Sequence, residues 1–219
     1  MKTHTLAIVG CGKLAKIVVE ALLKDLLPNY KLIGSYSRTF EKAKDLANQI
    51  NNSEKGSSCT PCKSLDELFA LKPDYIVETA SPAAFTEMAI PALKNGSSIV
   101  TLSIGAFADT HFYKKVQQTA LENNVRVHLA SGAIGGFDIM RTVALMEEST
   151  VTFRTEKGLN SLKNTEVYKD SLQTEKSEVF KGNAKEAIAL FPTRVNVAVA
   201  AALASVGLEN LKVSKNSTP

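Results

Sequence analysis

Tryptophan is absent from the chain, and histidine and cysteine number three each. So few cysteines, one of them between two glycines, make no disulfide framework of the kind that staples small secreted domains. Cys59-Thr-Pro-Cys62 has a spacing suited to metal or redox chemistry, but a structural zinc site needs four ligands, and no second Cys or His pair supplies them. No metal is expected, and the pair reads as a short strand and turn. No basic run interrupts the mixture of lysines and acids, whose net charge of +4 is mild, so nucleic acid is not expected as a partner. No apolar run approaches membrane-spanning length, and Met1-Lys-Thr-His leads into an apolar strand without a signal peptide. No membrane is expected, and the cytoplasm is the expected setting. Internal repeats are lacking too. What is left is 219 residues, 44% hydrophobic and 22% charged, enough globular chain for one large domain or two modest ones.

The most informative stretch lies near the start. Thr5-Leu-Ala-Ile-Val9 is an apolar run of strand type, Gly10-Cys-Gly-Lys-Leu-Ala15 follows, and an apolar-periodic segment runs from Leu14 to Leu27. Strand, tight turn and helix in this order suit a dinucleotide. The first glycine makes the turn, the second admits the pyrophosphate, and a small residue at Ala15 lets helix and sheet pack. The helix start at Lys13 and Leu14 offers its free N–H groups to the phosphates. The second strand reads as Tyr30 to Tyr36. At its end a carboxylate would take the ribose 2′-hydroxyl and select NAD, but Ser37, Arg38 and Thr39 stand there, with no acid before Glu41. That set accommodates the 2′-phosphate of NADP, and Ser37 and Thr39 also suit capping of the next helix.

Strand and helix go on alternating. Phe40 to Ile50 is helical by period, Ser64 to Glu67 has capping-box spacing, and Pro73 to Pro82 is a strand with its carboxyl-end loop, which holds Ala80 and Ser81. Ala83 to Leu93 is helical, Ser98 to Leu102 is a strand, and Ser103 to Asp109 is a small-residue segment at its end. A helix through Asn123 leads to the strand Val125 to Leu129, then to a second glycine cluster, Ser131-Gly-Ala-Ile-Gly-Gly136, and a helix from Phe137 to Met146. Five or six such units define the α/β class, with an N-terminal Rossmann-type doubly wound parallel sheet over residues 1–130. Residues 131–219 read as a second, smaller α/β domain that holds the substrate. In it Val151 to Thr155 and Ser177 to Gly182 are strand candidates, and Glu156 to Lys176 is a long polar stretch. Ala184 to Phe191 and Arg194 to Ala204 are helical, and Leu211 to Val213 reads as a last, unpaired edge strand with no helix after it.

Five segments together resemble the L-aspartate dehydrogenases: Gly10 to Ala15, Val77-Glu-Thr-Ala-Ser-Pro82, Ser103-Ile-Gly-Ala-Phe-Ala-Asp109, Ser131 to Gly136, and Phe191-Pro-Thr-Arg-Val-Asn-Val197. The glycine block followed much later by Phe-Pro-x-x-x-Asn-Val is the specific part. The resemblance implies interconversion of L-aspartate with iminoaspartate or oxaloacetate and ammonia, using NADP or NAD, in a homodimer. It implies cofactor contacts at Ala133 and Asn196, besides Gly10, Gly12, Lys13, Leu14, Ser37, Arg38, Ala80 and Ser81. On the substrate side it implies Ser131 and Lys157, the latter from a Thr-x-Lys stretch. The alternative for Lys157 is a solvated lysine on a polar loop. Arg194 departs from the family's usual Asn; it suits either a bidentate carboxylate clamp or a surface helix start.

The family's acid–base histidine falls, counted on from Asn196, beyond Pro219, so the C-terminal part is expected to be lacking and the catalytic residue is unassigned. Of the three histidines, His128 alone stands near the expected site, and it reads as packed rather than catalytic. Two other readings stay open. One is another small-substrate reductase of the same plan, such as a homoserine dehydrogenase or dihydrodipicolinate reductase relative. The other is a cofactor-binding module without catalysis.

Overall fold

The computed structural model describes residues 3–53, 58–132, 134–146, 149–159, 162–163, 165–191 and 196–218. It divides into two compact units, Met1–Ala130 and Ser131–Pro219.

In the first unit six parallel strands alternate with helices: β1 (His4–Val9), α1 (Lys13–Leu23), β2 (Tyr30–Tyr36), α2 (Phe40–Asn51), β3 (Thr60–Cys62), α3 (Leu65–Ala70), β4 (Tyr75–Glu78), α4 (Pro82–Lys94), β5 (Ser98–Thr101), α5 (Thr110–Glu122) and β6 (Val127–Leu129). The strand order is β3-β2-β1-β4-β5-β6. β1 is central, and Leu6 to Val9 are all buried, as expected of a parallel strand covered on both faces. The apolar face of α2 has helical spacing, with Ala43, Leu46, Ala47 and Ile50 buried and Phe40 half-buried. α1 is shorter than its periodicity implied. After Leu23 the chain turns with Asp25 at φ +61°, and the Leu26 N–H reaches back to the Ala21 carbonyl at 2.9 Å, a Schellman-type end. Ser64 caps α3, accepting from the Glu67 N–H at 3.1 Å, while the Glu67 carboxylate takes the Lys63 N–H at 2.7 Å.

The small-residue segment after β5 proves to be core. Ser103 to Asp109 forms a turn of 3₁₀-helix with Ile104 and Phe107 buried. Phe107 meets the rings of Phe85 at 5.3 Å and Phe112 at 5.8 Å, so this segment closes the α4–α5 side of the sheet.

The second unit holds α6 (Phe137–Ala144), β7 (Thr152–Gly158), β8 (Glu178–Asn183), α7 (Ala184–Leu190), α8 (Asn196–Leu203) and β9 (Lys212–Thr218). Its sheet order is β7-β9-β8, with β9 parallel to β7 and antiparallel to β8. The expected edge strand is therefore the central one, and it runs to Thr218. Its polar residues 214–218 lack the alternation that marks a strand, yet Lys215, Asn216 and Ser217 are buried, since pairing on both sides satisfies the backbone. The polar stretch after Thr155 is also corrected. Its first residues continue β7, and Leu162 and Leu172 join Phe191 in a small core of their own. α8 is apolar after Asn196 and buried from Ala198 to Ala202, with Ala201 and Ala202 close against Leu211, Val213 and Ala184 of α7.

Candidate functional site

In an open parallel sheet, ligands bind beyond the carboxyl ends of the strands where the strand order reverses. Here that point lies between β1 and β4. The ends of β1, β2 and β4 surround a cleft of about 180 Å³ lined by Val9 to Gly12, Tyr36 to Arg38, Lys42, Thr79 to Ser81 and Ala84. Six of the residues singled out in the sequence meet there: Gly10, Gly12, Ser37, Arg38, Ala80 and Ser81.

The turn is fixed by its neighbours. The Gly10 N–H donates to the Tyr36 carbonyl at 2.8 Å, and Thr79 Oγ1 donates to the Gly10 carbonyl at 2.5 Å. Gly10 has φ +93°, and a Cβ there would lie 2.6 Å from the Ala80 amide nitrogen, so both conformation and space demand glycine. Gly12 differs: a Cβ there would meet nothing within 4 Å. It is the N-cap of α1 in extended conformation, no side chain caps the helix, and no acid stands in its first turn. The first-turn N–H groups, beginning at Lys13 and Leu14, thus stand over open space at a positive dipole end, a fit for a pyrophosphate. Lys13 and Leu14 are exposed and are not among the residues that line the cleft. Ala15 is fully buried against the sheet. Cys11 turns inward, its thiol donating to the Tyr36 carbonyl at 3.5 Å.

At the β2 end the cleft carries two cations, Arg38 and Lys42, and no carboxylate among its lining residues. Thr39 is the N-cap of α2, as its position suggested, but its hydroxyl makes no capping bond. Lys42 was missed in the sequence. It follows Arg38 by four residues, and that spacing across a strand end and first helical turn was the available signal.

A second missed residue organises the β4 end. Glu78 is fully buried. Its Oε1 accepts from the Ala80 N–H at 2.7 Å, the Ser81 N–H at 3.1 Å and the Ser103 hydroxyl at 2.9 Å. Its Oε2 accepts from the Thr101 hydroxyl at 2.6 Å and the Ser103 N–H at 3.2 Å. One carboxylate therefore holds the Ala80–Ser81 wall of the cleft, and Ser81 in turn caps α4, accepting from the Ala84 N–H at 3.2 Å.

The cysteines are not nucleophiles at neutral pH. Burial, then the neighbouring Cys59, pushes the Cys11 thiol up to about 12, and burial pushes Cys59 up to about 11. Among the described residues no group of three His, Cys, Asp or Glu side chains could hold a metal. None of the three histidines lines the cleft. His4 packs against Tyr30 and Tyr75, and His111 is exposed on α5. His128 is exposed on β6, its ring 6.3 Å from that of Tyr75, beside a wider, mostly apolar groove along α5 that lacks any glycine turn.

In the second unit, Ser131 and Asn196 are exposed, the latter as the first described residue of α8, and Lys157 is half-buried on β7. Lys157 is thus a strand residue rather than a loop lysine. Ala133 and Arg194 lie outside the described residues.

A doubly wound sheet with an uncapped glycine turn at its switch point defines the class of NAD(P)-binding oxidoreductases. Residues 10–130 match the family "Homoserine dehydrogenase, NAD binding domain", and residues 138–216 match "Aspartate dehydrogenase, C-terminal". The L-aspartate dehydrogenase of Methanococcus maripaludis strain C5 is 36% identical over 202 residues, which cover 90% of this chain and 73% of that protein. That of Methanocaldococcus jannaschii is 32% identical over 204 residues, 91% of this chain and 73% of the relative. The crystal structure of aspartate dehydrogenase from Thermotoga maritima superposes with a TM-score of 0.70 at 28% identity, covering 99% of this chain and 79% of that one. The chain belongs to the L-aspartate dehydrogenase family.

Proposed function

We propose that Gly12, the first turn of α1, Ala80 and Ser81 hold the pyrophosphate side of NADP or NAD, and that Ser37, Arg38 and Lys42 hold the adenosine ribose with its 2′-phosphate. Ser131, Lys157 and Asn196, with Ala133 and Arg194, orient L-aspartate and the nicotinamide. When bound, the dinucleotide supplies a hydride acceptor or donor at nicotinamide C4. The chain's own residues bind and aim the reactants. The Asn196 amide has both a donor and an acceptor for a carboxamide or substrate, and the Lys157 ammonium matches a carboxylate. The reaction is oxidation of L-aspartate to iminoaspartate and oxaloacetate, or the reverse amination.

The observation that carries the substrate is the match of residues 138–216 to the aspartate dehydrogenase C-terminal family. A homoserine dehydrogenase reading draws on the match of residues 10–130, but that segment holds the cofactor side. A panel of L-aspartate, L-homoserine, and oxaloacetate with ammonia, followed at the absorbance of the reduced dinucleotide, tests this. Turnover with aspartate and oxaloacetate is expected; turnover with homoserine instead would overturn the reading. Asn196→Ala should lower kcat, and Lys157→Ala should raise the KM for aspartate about 10-fold or more with a smaller change in kcat.

Arg38 and Lys42 make NADP the better ligand. Arg38→Ala and Lys42→Ala should each weaken NADPH about 10- to 100-fold, the cost of a charge-assisted bond to phosphate, and change NADH little. Equal losses for both dinucleotides in a fluorescence titration would remove the 2′-phosphate role.

A cytoplasmic homodimer completes the proposal. Three buried free thiols suit a reducing compartment, and Ile139, Leu145 and Met146 give the second unit exposed apolar surface for a partner copy. Among the described residues no helix is long and apolar enough to cross a membrane. A monomer in analytical ultracentrifugation would remove the dimer.

A further inference from the structure

Arg38 and Lys42 border the β2 exit from the side of the cleft; its outer side belongs to β3. With pyrophosphate at the end of β1 and ribose at the end of β2, the order β3-β2-β1 leaves β3 as the next strand outward from the ribose. β3 pairs with β2 in parallel, and Tyr36 stands opposite Cys62. Ser37 and Lys63 are therefore the first residues past two paired strand ends, which lie about 5 Å apart.

Lys63 is exposed at this exit. Its ammonium stands 5.8 Å from the centre of the Phe40 ring, and Phe40 opens α2 directly after Ser37, Arg38 and Thr39. The charge is thus held beside the β2 exit, not directed away from it. A ring face holds an exposed ammonium only weakly, so an arriving phosphate can take it over. Among the described residues no carboxylate forms an ion pair with Arg38, Lys42 or Lys63. Glu41 and Glu67, the acids of the neighbouring first helical turns, are no exception. Three cations without an anion therefore stand around one strand exit.

We propose that Lys63 is a further specificity-determining residue for the dinucleotide, closing on the outer oxygens of the 2′-phosphate while Arg38 and Lys42 hold it from the cleft. The proposal rests on the reading of the β2 exit as an NADP site. Lysine suits the place: a compact charge on a flexible stem moves from Phe40 to an anion without a planar fork to align. The gain is confined to the phosphorylated ligand. NADH presents a neutral hydroxyl there, from which an exposed, hydrated ammonium gains little.

The test uses the full chain and two pairs of ligands: NADPH against NADH by fluorescence titration, and adenosine 2′,5′-bisphosphate against 5′-AMP by calorimetry. Each pair differs only in the 2′-phosphate. Lys63→Met keeps an apolar stem on Phe40 and removes the charge. It should weaken NADPH and the bisphosphate about 3- to 10-fold, less than Arg38→Ala does because the ammonium is exposed and screened. NADH, 5′-AMP and the thermal midpoint should hold. Lys63→Arg, which keeps a cation, should restore most of the loss. Added salt should weaken NADPH less steeply in Lys63→Met than in the unaltered chain, since one screened attraction has gone. Unchanged NADPH affinity in Lys63→Met, with selective loss in Arg38→Ala, would overturn the role of Lys63 and leave the NADP reading standing. Equal losses of NADPH and NADH in Lys63→Met would overturn it too, in favour of packing on Phe40. A bisphosphate that binds the unaltered chain no better than 5′-AMP would overturn both readings.

Discussion

Gly12→Val should abolish dinucleotide binding and leave the fold intact. The backbone at Gly12 is extended, at φ −93° and ψ −160°, a conformation that valine adopts readily. A Cβ there meets no protein atom within 4 Å, so the methyls would occupy the space over the first turn of α1 where a pyrophosphate meets the N–H groups. Losing two charge-assisted bonds of about 1.5–3 kcal/mol each corresponds to a loss of affinity of about 100-fold or more for NADPH and NADH alike. The neighbouring glycine provides the contrast. Gly10→Ala puts a methyl 2.6 Å from the Ala80 backbone at φ +93°, and the strain and overlap together should cost about 2–5 kcal/mol of stability. The two glycines of one turn thus separate two roles: Gly10 serves the protein's own packing, Gly12 the ligand. Fluorescence titration and urea denaturation of both variants make the test. Gly12→Val with unaltered affinity would mean that the turn carries no dinucleotide.

The architecture of the first unit was legible because its elements are local and punctuated. Tyr30 to Tyr36 is bounded by Asn29 and Ser37 and forms one strand, and the period of α2 names its buried face directly. Polar central strands leave no such mark. The residues of β9 after Val213 read as a tail, because their burial comes from β7, β8 and Phe191, which are remote in sequence. The same holds for Ser103 to Asp109: its small residues at a strand end give no sign of burial, because the ring contacts of Phe107 with Phe85 and Phe112 that make it core are tertiary. In the candidate site the glycine turn and the Ser37–Arg38 strand end could be read, since each follows from one strand and its exit. Lys42 and Glu78 could not be read in the same way. Lys42 matters because α2 returns to the cleft that Arg38 borders, and Glu78 because donors some 25 residues further on converge on it.

Glu78→Gln should be among the most damaging isosteric changes in the first unit. Every group aimed at this carboxylate is a donor, and three of them are backbone N–H groups that cannot reverse: Ala80, Ser81 and Ser103. Glutamine replaces one acceptor oxygen with an NH₂. If the NH₂ takes the Oε1 place, it opposes two N–H groups. If it takes the Oε2 place, it opposes the Ser103 N–H, and only the Thr101 hydroxyl can turn to accept from it. The second arrangement is the better one: the Ser103 N–H keeps its 3.0 Å bond to the Thr101 hydroxyl, but it loses its carboxylate acceptor, and the charge goes from the remaining bonds. Loss of the shared acceptor and of charge assistance in the remaining bonds brings the cost to about 1–3 kcal/mol. Glu78→Asp keeps the charge, but its shorter side chain cannot span Ala80 on one side and Thr101 on the other, so it should recover only part of the loss. Because Ala80 and Ser81 line the cleft, the damage reaches the ligand. At a temperature where Glu78→Gln remains folded, NADPH affinity should fall about tenfold, while Glu67→Gln, at the exposed Lys63 turn, leaves it unchanged. A urea midpoint for Glu78→Gln within about 0.5 kcal/mol of the unaltered chain, the range of ordinary surface substitutions, would show that the five bonds do not hold this wall of the cleft in place.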